Sequence, residues 1–171
     1  NFADVKNTVV VSGMLTVKDS TAAAEPEVNG DTVTYTSGKI TGANLALCAI
    51  NGGEIIIENG SFESAKMGVY AQGNYTPDGA AQNSKITVKG GYILAQEFAA
   101  SAQGNGAELD IRGGVLKAKD NAVIGGNGTK NSTMDCGGTI MNISGGTMIG
   151  GIQSTGYIAC GVYHPQQGTL N

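Results

Sequence analysis

With 171 residues the chain is long enough for one domain with a substantial core. Its 14% charged content and 28 glycines argue against a helix-rich enzyme, for which ~25% charged is usual, and its 40% apolar content excludes disorder. A net charge of −4 without any lysine or arginine cluster leaves nucleic acid no phosphate-binding footprint, and no stretch approaches the ~20 apolar residues of a membrane span.

Taken in order, the chain repeats one short sentence. VVVSGMLTV around Gly13 reads as strand, Gly bend, strand, and VTYTSGKITG at Val33–Gly42 reads the same way. Between them residues 18–31 (KDSTAAAEPEVNGD) lack a strand pattern and are expected to form a loop or cap. EIIIENGSFESA (Glu54–Ala65), KITVKGGYILA (Lys85–Ala95), ELDIRGGVLKA (Glu108–Ala118) and IMNISGGTMIG (Ile140–Gly150) follow. In KITVKGG and ELDIRGG apolar and polar residues alternate up to a Gly-Gly pair, where no Cβ obstructs a tight bend; IMNISGG repeats the sentence, and EIIIENG is a looser copy with Asn59-Gly60 in place of the Gly pair.

Marking the bends at Gly13, Gly38, Gly60, Gly91, Gly114 and Gly146 gives spacings of 25, 22, 31, 23 and 32 residues. Fixed-period self-similarity of this size marks a solenoid, and the lack of 3.6-residue periodicity rules out the helical repeat classes. A third strand recurs as GVYAQGN (Gly68–Asn74), AASAQGN (Ala99–Asn105) and AVIGGN (Ala122–Asn127), with GVYHPQ (Gly161–Gln166) as its last copy. The two long spacings come from insertions, NYTPDGAAQN (Asn74–Asn83) and GNGTKNSTMDCGG (Gly126–Gly138). Both leave the same corner and are expected to project from one edge, and a further segment, Gly151 to Cys160, enters the last coil.

Aligning the bends predicts inward rows. Ile55/Ile86/Leu109/Met141 and Ile57/Val88/Ile111/Ile143 belong to the first strand, Ile40/Phe62/Ile93/Leu116/Met148 to the second. A row of small residues, Gly42/Ser64/Ala95/Ala118/Gly150, runs beside the latter. Like residues stacked ~4.8 Å apart fill the interior of a parallel β-helix.

These Gly-Gly-x-Ile bends, Gly-Asn turns and one-corner insertions resemble the right-handed parallel β-helices of the pectate-lyase-like superfamily. They are closest in flavour to the Gly-rich versions in bacterial surface adhesins and phage fibre or receptor-binding proteins. The fold expected is all-β, a right-handed single-stranded parallel β-helix of about six coils with three short strands each. Residues 1–31 are expected to form a first coil or cap with its loop, and residues 32–171 the array, ending within a further repeat at Thr169-Leu170-Asn171. Open coil ends expose strand edges, so flanking segments of the same chain or a trimer of it are expected to cover them.

Chemistry is harder to place. Lyases and hydrolases on such a fold use clustered acids with a Lys or Arg. Asp110 and Arg112, outward near Lys89 and Glu58, come nearest, but Asp110 stacks between Thr87 and Asn142 without a second acid in its row. An exposed cross-strand charge ladder is the plainer reading. His164, the single histidine, lacks a triad's partners and by register with Ala71 is expected to face inward. Cys48, Cys136 and Cys160 read as small buried thiols, with a Cys136–Cys160 bridge as the alternative and Cys48 several coils from both. Gly125-Gly126-Asn127-Gly128 departs from the calcium nonapeptide at Lys130, so no metal or other cofactor is expected; a calcium ion held in a loop is the alternative.

Tyr70 and Tyr163 share an outward third-strand position, and Tyr75 opens the first insertion. With Asn74, Asn127, Asn131, Gln166 and Gln167 they are expected to offer flat rings and amides to a glycan. The expectation is a non-enzymatic extracellular, cell-surface or virion-surface module that binds a glycan or other surface ligand. A polysaccharide lyase or hydrolase, and a purely structural phage fibre or capsid-decoration segment, are the alternatives. Neither nucleic acid nor membrane insertion is expected.

Overall fold

The computed structural model describes residues 7–127, 129–150, 160–164 and 167–171. Among them are nineteen strands and no helix. The chain enters on β1 (Asn7–Val11) and β2 (Met14–Val17), then forms a hairpin, β3 (Glu27–Asn29) and β4 (Thr32–Thr34). Strands follow in threes: β5 (Lys39–Gly42) and β6 (Leu45–Ala49) complete the turn begun by β2, then come β7 (Glu54–Ile57), β8 (Ser61–Ser64) and β9 (Met67–Gln72). The next turns are β10 (Lys85–Val88), β11 (Tyr92–Ala95), β12 (Phe98–Gln103), then β13 (Glu108–Ile111), β14 (Val115–Ala118), β15 (Ile124–Asn127). The last described strands are β16 (Ile140–Ile143), β17 (Thr147–Ile149), β18 (Val162–Tyr163) and β19 (Thr169–Leu170).

Every third strand joins the same parallel sheet, so three sheets stack in chain order. The first-strand sheet runs β2-β7-β10-β13-β16-β19, the second-strand sheet β5-β8-β11-β14-β17, and the third-strand sheet β1-β6-β9-β12-β15-β18. This is the topology of a β-solenoid-like fold. Side chains of all three sheets meet in one core that includes Leu47, Ile55, Phe62, Ile86, Leu109 and Ile124.

Register within the sheets follows the predicted rows. Ile55, Ile86, Leu109 and Met141 are neighbours in consecutive strands, and all four are fully buried. Phe62, Ile93 and Leu116 align likewise between half-buried Ile40 and Met148 at the two ends. A one-residue slip would turn each such row to solvent, so the apolar pattern itself holds the register. The bends behave as the sequence implies: Gly91 has φ +87°, and a Cβ there would lie 2.4 Å from the Gly60 carbonyl oxygen of the coil before. Only glycine fits that approach.

The first coil differs from its expected form. VVVSGMLTV does not fold as first strand, bend, second strand: β1 pairs with β6 in the third-strand sheet and β2 with β7 in the first-strand sheet. Gly13 therefore marks a different turn from Gly60, Gly91, Gly114 and Gly146, and of the six marked bends only those four have positive φ. Nor does Val33–Gly42 hold two coil strands, because β4 pairs antiparallel with β3 and only β5 joins the coils. Residues 18–31, expected to form a loop or cap without strand pattern, contribute β3 and the Gly30 turn of that hairpin. Alternation alone cannot tell a coil strand from a hairpin strand, since both have period two. The hairpin crosses the outside of the second-strand sheet: the Lys117 ammonium on β14 donates to the Asp31 carbonyl, 86 positions away.

The two insertions share a corner as expected, but they fold back instead of projecting. The Asp135 amide donates to the Tyr75 carbonyl at 2.8 Å, Asn74 and Asn105 form an isolated bridge, and Cys136 is fully buried. His164 is exposed, contrary to the inward expectation. The segment expected between Gly151 and Cys160 lies outside the described residues, apart from Cys160 itself.

Candidate functional site

Each sheet turns a different chemistry outward. On the first-strand sheet the charged residues pair across strands: Lys85 Nζ with Glu108 Oε1 at 2.7 Å, and Lys89 Nζ with Glu58 Oε1 at 2.8 Å. Asp110 stands between Thr87 and Asn142 in register and is 7% exposed. Its Oδ2 accepts from Arg112 Nε at 2.9 Å and Nη2 at 2.5 Å, and this contact raises the Arg112 pKa further. Asn142 Nδ2 donates to Glu108 Oε1 at 3.2 Å, and Asn171 Nδ2 to Asn142 Oδ1 at 2.7 Å. Asp110, Arg112 and Lys89 are thus brought onto one face, each committed to an ion pair.

The third-strand sheet is buried on both sides along its inner strands β6, β9 and β12, while Val10 on β1 and Tyr163 on β18 stay about half exposed at its two ends. All five residues of β6 are buried, and Leu45, Cys48 and Tyr70 form a second apolar cluster outside the main core. Tyr70 does share its register position with Ser101, Gly125 and Tyr163, as expected. It is not available to a ligand, however: it is 8% exposed, and its hydroxyl hydrogen-bonds that of Tyr75. The insertions bring Tyr75 and Cys136 against the sheet, and burial pushes the Tyr70 phenol well up, with Tyr75, Cys48 and Cys136 adding to the shift. Burial likewise pushes the Cys48 thiol up to about 11 and raises Tyr75. Cys48 and Cys136, expected to be coils apart, both lie near Tyr70, and all three cysteines are free, so Cys136 and Cys160 are not bridged here. Tyr75 Oη also donates to Gln103 Oε1 at 3.4 Å, and Gln103 Nε2 to Ser101 Oγ at 3.1 Å.

The asparagines expected at the binding edge shape the insertions. Asn74 Oδ1 accepts from the Thr76 amide at 2.9 Å while its Nδ2 donates to the Ala80 carbonyl at 2.8 Å. Asn127 Oδ1 accepts from the Thr129 amide at 3.0 Å, and Asn131 Oδ1 from the Thr133 and Met134 amides. These are Asx turns, in which the side chain substitutes for a backbone acceptor. Tyr163 remains 49% exposed. Gln166 lies outside the described residues. No three His, Cys, Asp or Glu side chains gather into a metal-holding group among the described residues.

One surface was not singled out by sequence reasoning. Where the second-strand sheet turns into the third-strand sheet, an open cleft of about 440 Å³ is lined by Thr41, Glu63, Ser64, Ala65, Gln96 and Lys119. Thr41 and Glu63 are cross-strand neighbours, whereas Ala65, Gln96 and Lys119 follow the aligned Ser64, Ala95 and Ala118 and so form a row of their own. Glu63 Oε2 is 2.9 Å from Lys39 Nζ. No hydrogen bond or ion pair joins the side chains of Thr41, Gln96 or Lys119 to another described residue, and Ser64 keeps a buried hydroxyl without a partner there. Extending the small-residue row by one position would have found this line; it passes unnoticed because the residues are unlike one another.

No family model, curated protein or solved structure matches this chain.

Proposed function

We propose that the three sheets wind as a right-handed parallel β-helix and that the chain is a rigid, non-enzymatic module of a cell, extracellular or virion surface. On this reading it holds a face for a glycan or other surface ligand at fixed pitch. The hand rests on the strong right-handed preference of parallel crossover connections. The observation that carries the functional reading is the commitment of the acid and base side chains of the first-strand sheet. Asp110, Glu58 and Glu108 are each tied to a cation, which leaves Glu54 as the one carboxylate of that face without an ion pair among the described residues, whereas a hydrolytic pair needs two. A rigid stack needs only its apolar rows and its cross-strand pairs, and both are present.

A reducing-end assay on pooled neutral and acidic polysaccharides tests this. No new ends above the blank are expected. Cleavage that disappears in Asp110→Asn would overturn the proposal and favour a polysaccharide lyase or hydrolase built on Asp110, Arg112 and Lys89. Association into trimers, read by analytical ultracentrifugation, would favour a fibre or decoration segment.

A further inference from the structure

We infer that the cleft between the second-strand and third-strand sheets is a binding groove for an extended, uncharged oligosaccharide lying along the stacking direction. Its lining residues come from four consecutive coils: Thr41, then Glu63 and Ala65, then Gln96, then Lys119. At ~4.8 Å per strand the line is roughly 14 Å long, close to three pyranose units of a linear chain. The cleft's 440 Å³ is within the range of small-ligand sites, though it is open along its length, which suits a polymer segment better than a compact molecule.

The chemistry of the lining selects the ligand class. A carboxylate, an amide, a hydroxyl and an ammonium alternate along the groove, which presents donors and acceptors without a dominant sign. The next residues along the chain, Lys66, Glu97 and Asp120, carry both signs as well, so the corner does not present a single charge. Vicinal hydroxyls, which both donate and accept, satisfy such a mixed set. On the first-strand sheet and in the insertions the long charged side chains of Lys85, Lys89 and Lys130 are each held by a carboxylate, whereas the side chains of Thr41, Gln96 and Lys119 have no partner among the described residues. The small floor at Ala65 leaves room for a ring to approach the backbone. This inference does not depend on the chain being inert: a groove that bound sugar in a chain that also cut it would stand while the non-enzymatic reading fell.

The test is titration of the ¹⁵N-labelled chain with cellohexaose, xylohexaose, maltohexaose and a hexuronate, with the reducing-end assay run alongside. At least one neutral hexaose is expected to shift the amides of residues 41, 63–66, 96 and 119. Ala65→Trp, an exposed position whose bulk would fill the groove, should weaken that binding at least tenfold, and Gln96→Ala several-fold. Tyr163→Ala should leave it unchanged. Absence of shifts at those residues with every neutral hexaose up to 10 mM (about −2.7 kcal/mol) would overturn the inference, as would binding that survives Ala65→Trp in a chain with an unchanged amide spectrum. Binding of the hexuronate alone would overturn the assignment to a neutral ligand.

Discussion

The first-strand and third-strand sheets are built from equally short parallel strands, yet they solve the problem of the outward face in opposite ways. The first-strand sheet leaves its outer side to solvent and covers it with crossed ion pairs, Lys85–Glu108 and Lys89–Glu58. The third-strand sheet buries the outer side of its inner strands, where Leu45, Cys48 and Tyr70 pack beneath residues that include Tyr75 and Cys136 of the insertions. A sheet with one wet face alternates cleanly, and a sheet covered on both faces reads as an unbroken apolar run. LALCA at Leu45–Ala49 is such a run, and the ladder EIIIE beside it is not. The insertions therefore serve as a second wall, and Tyr70 and Tyr75, which looked like part of a binding edge, form its inner lining.

The largest effects should come from truncating either buried side. Ile86→Ala in the main core should cost about 2–5 kcal/mol in chemical denaturation, and Tyr70→Ala on the covered outer face a comparable amount. Lys85→Ala, outward on the first-strand sheet, should cost well under that. If Tyr70→Ala cost less than about 1 kcal/mol, the outer face of the third-strand sheet would be no second core and the comparison would collapse.

A subtler change asks what the two phenols contribute. Tyr70→Phe keeps the ring and removes only the hydroxyl that meets Tyr75, whose own hydroxyl retains Gln103 at 3.4 Å. The expected loss is about 1–2 kcal/mol, the cost of a buried polar group losing its better partner. The companion measurement is a double-mutant cycle on Lys85 and Glu108, whose side chains are 30% and 28% exposed. Their coupling should stay below about 1 kcal/mol and shrink with added salt, as for pairs in partial contact with water. A larger, salt-insensitive coupling would mean that the outward ladder carries stability of its own.

Legibility followed the same divide. The inward rows of the first and second strands could be read position by position, because apolar residues recur at one offset and a glycine marks each bend. The first coil was misread for want of that marker: Gly13 sits in a turn of another kind, and the strands of β3 and β4 alternate like any coil strand. Tyr70 was placed at the right register and on the outward side, but its burial was hidden. What buries it is separated in sequence by an insertion whose path no local pattern encodes. The corner groove was missed for the opposite reason, since Ala65, Gln96 and Lys119 share a position and nothing else.

The smallest effect concerns how the added segments are fastened. Asp19 sits at the root of the hairpin, where its carboxylate accepts from the Gly38 amide and, at 2.8 Å each, from the Thr21 amide and hydroxyl. Asp135 fastens the second insertion through the Gly137 amide at 2.9 Å and Lys130 at 3.1 Å. Both carboxyls are held below the ordinary 3.8, chiefly by the backbone amides of Gly38 and Gly137 respectively. A carboxyl whose folded pKa is depressed contributes stability that is complete above its unfolded value and is lost as pH falls through the folded one. Below pH 3.8, then, the hairpin root and the second insertion should loosen while the coils, whose core carries no titrating group, stay stacked. Hydrogen exchange at pH 2.5 against pH 5 should show protection falling at Gly38 and Gly137 but holding at Lys89 and Arg112, whose amides bond the preceding coil. Asp19→Asn should flatten the response at Gly38 alone. If all four amides lost protection together, the added segments and the coils would be one cooperative unit, and the covering wall could not be peeled from the sheet it protects.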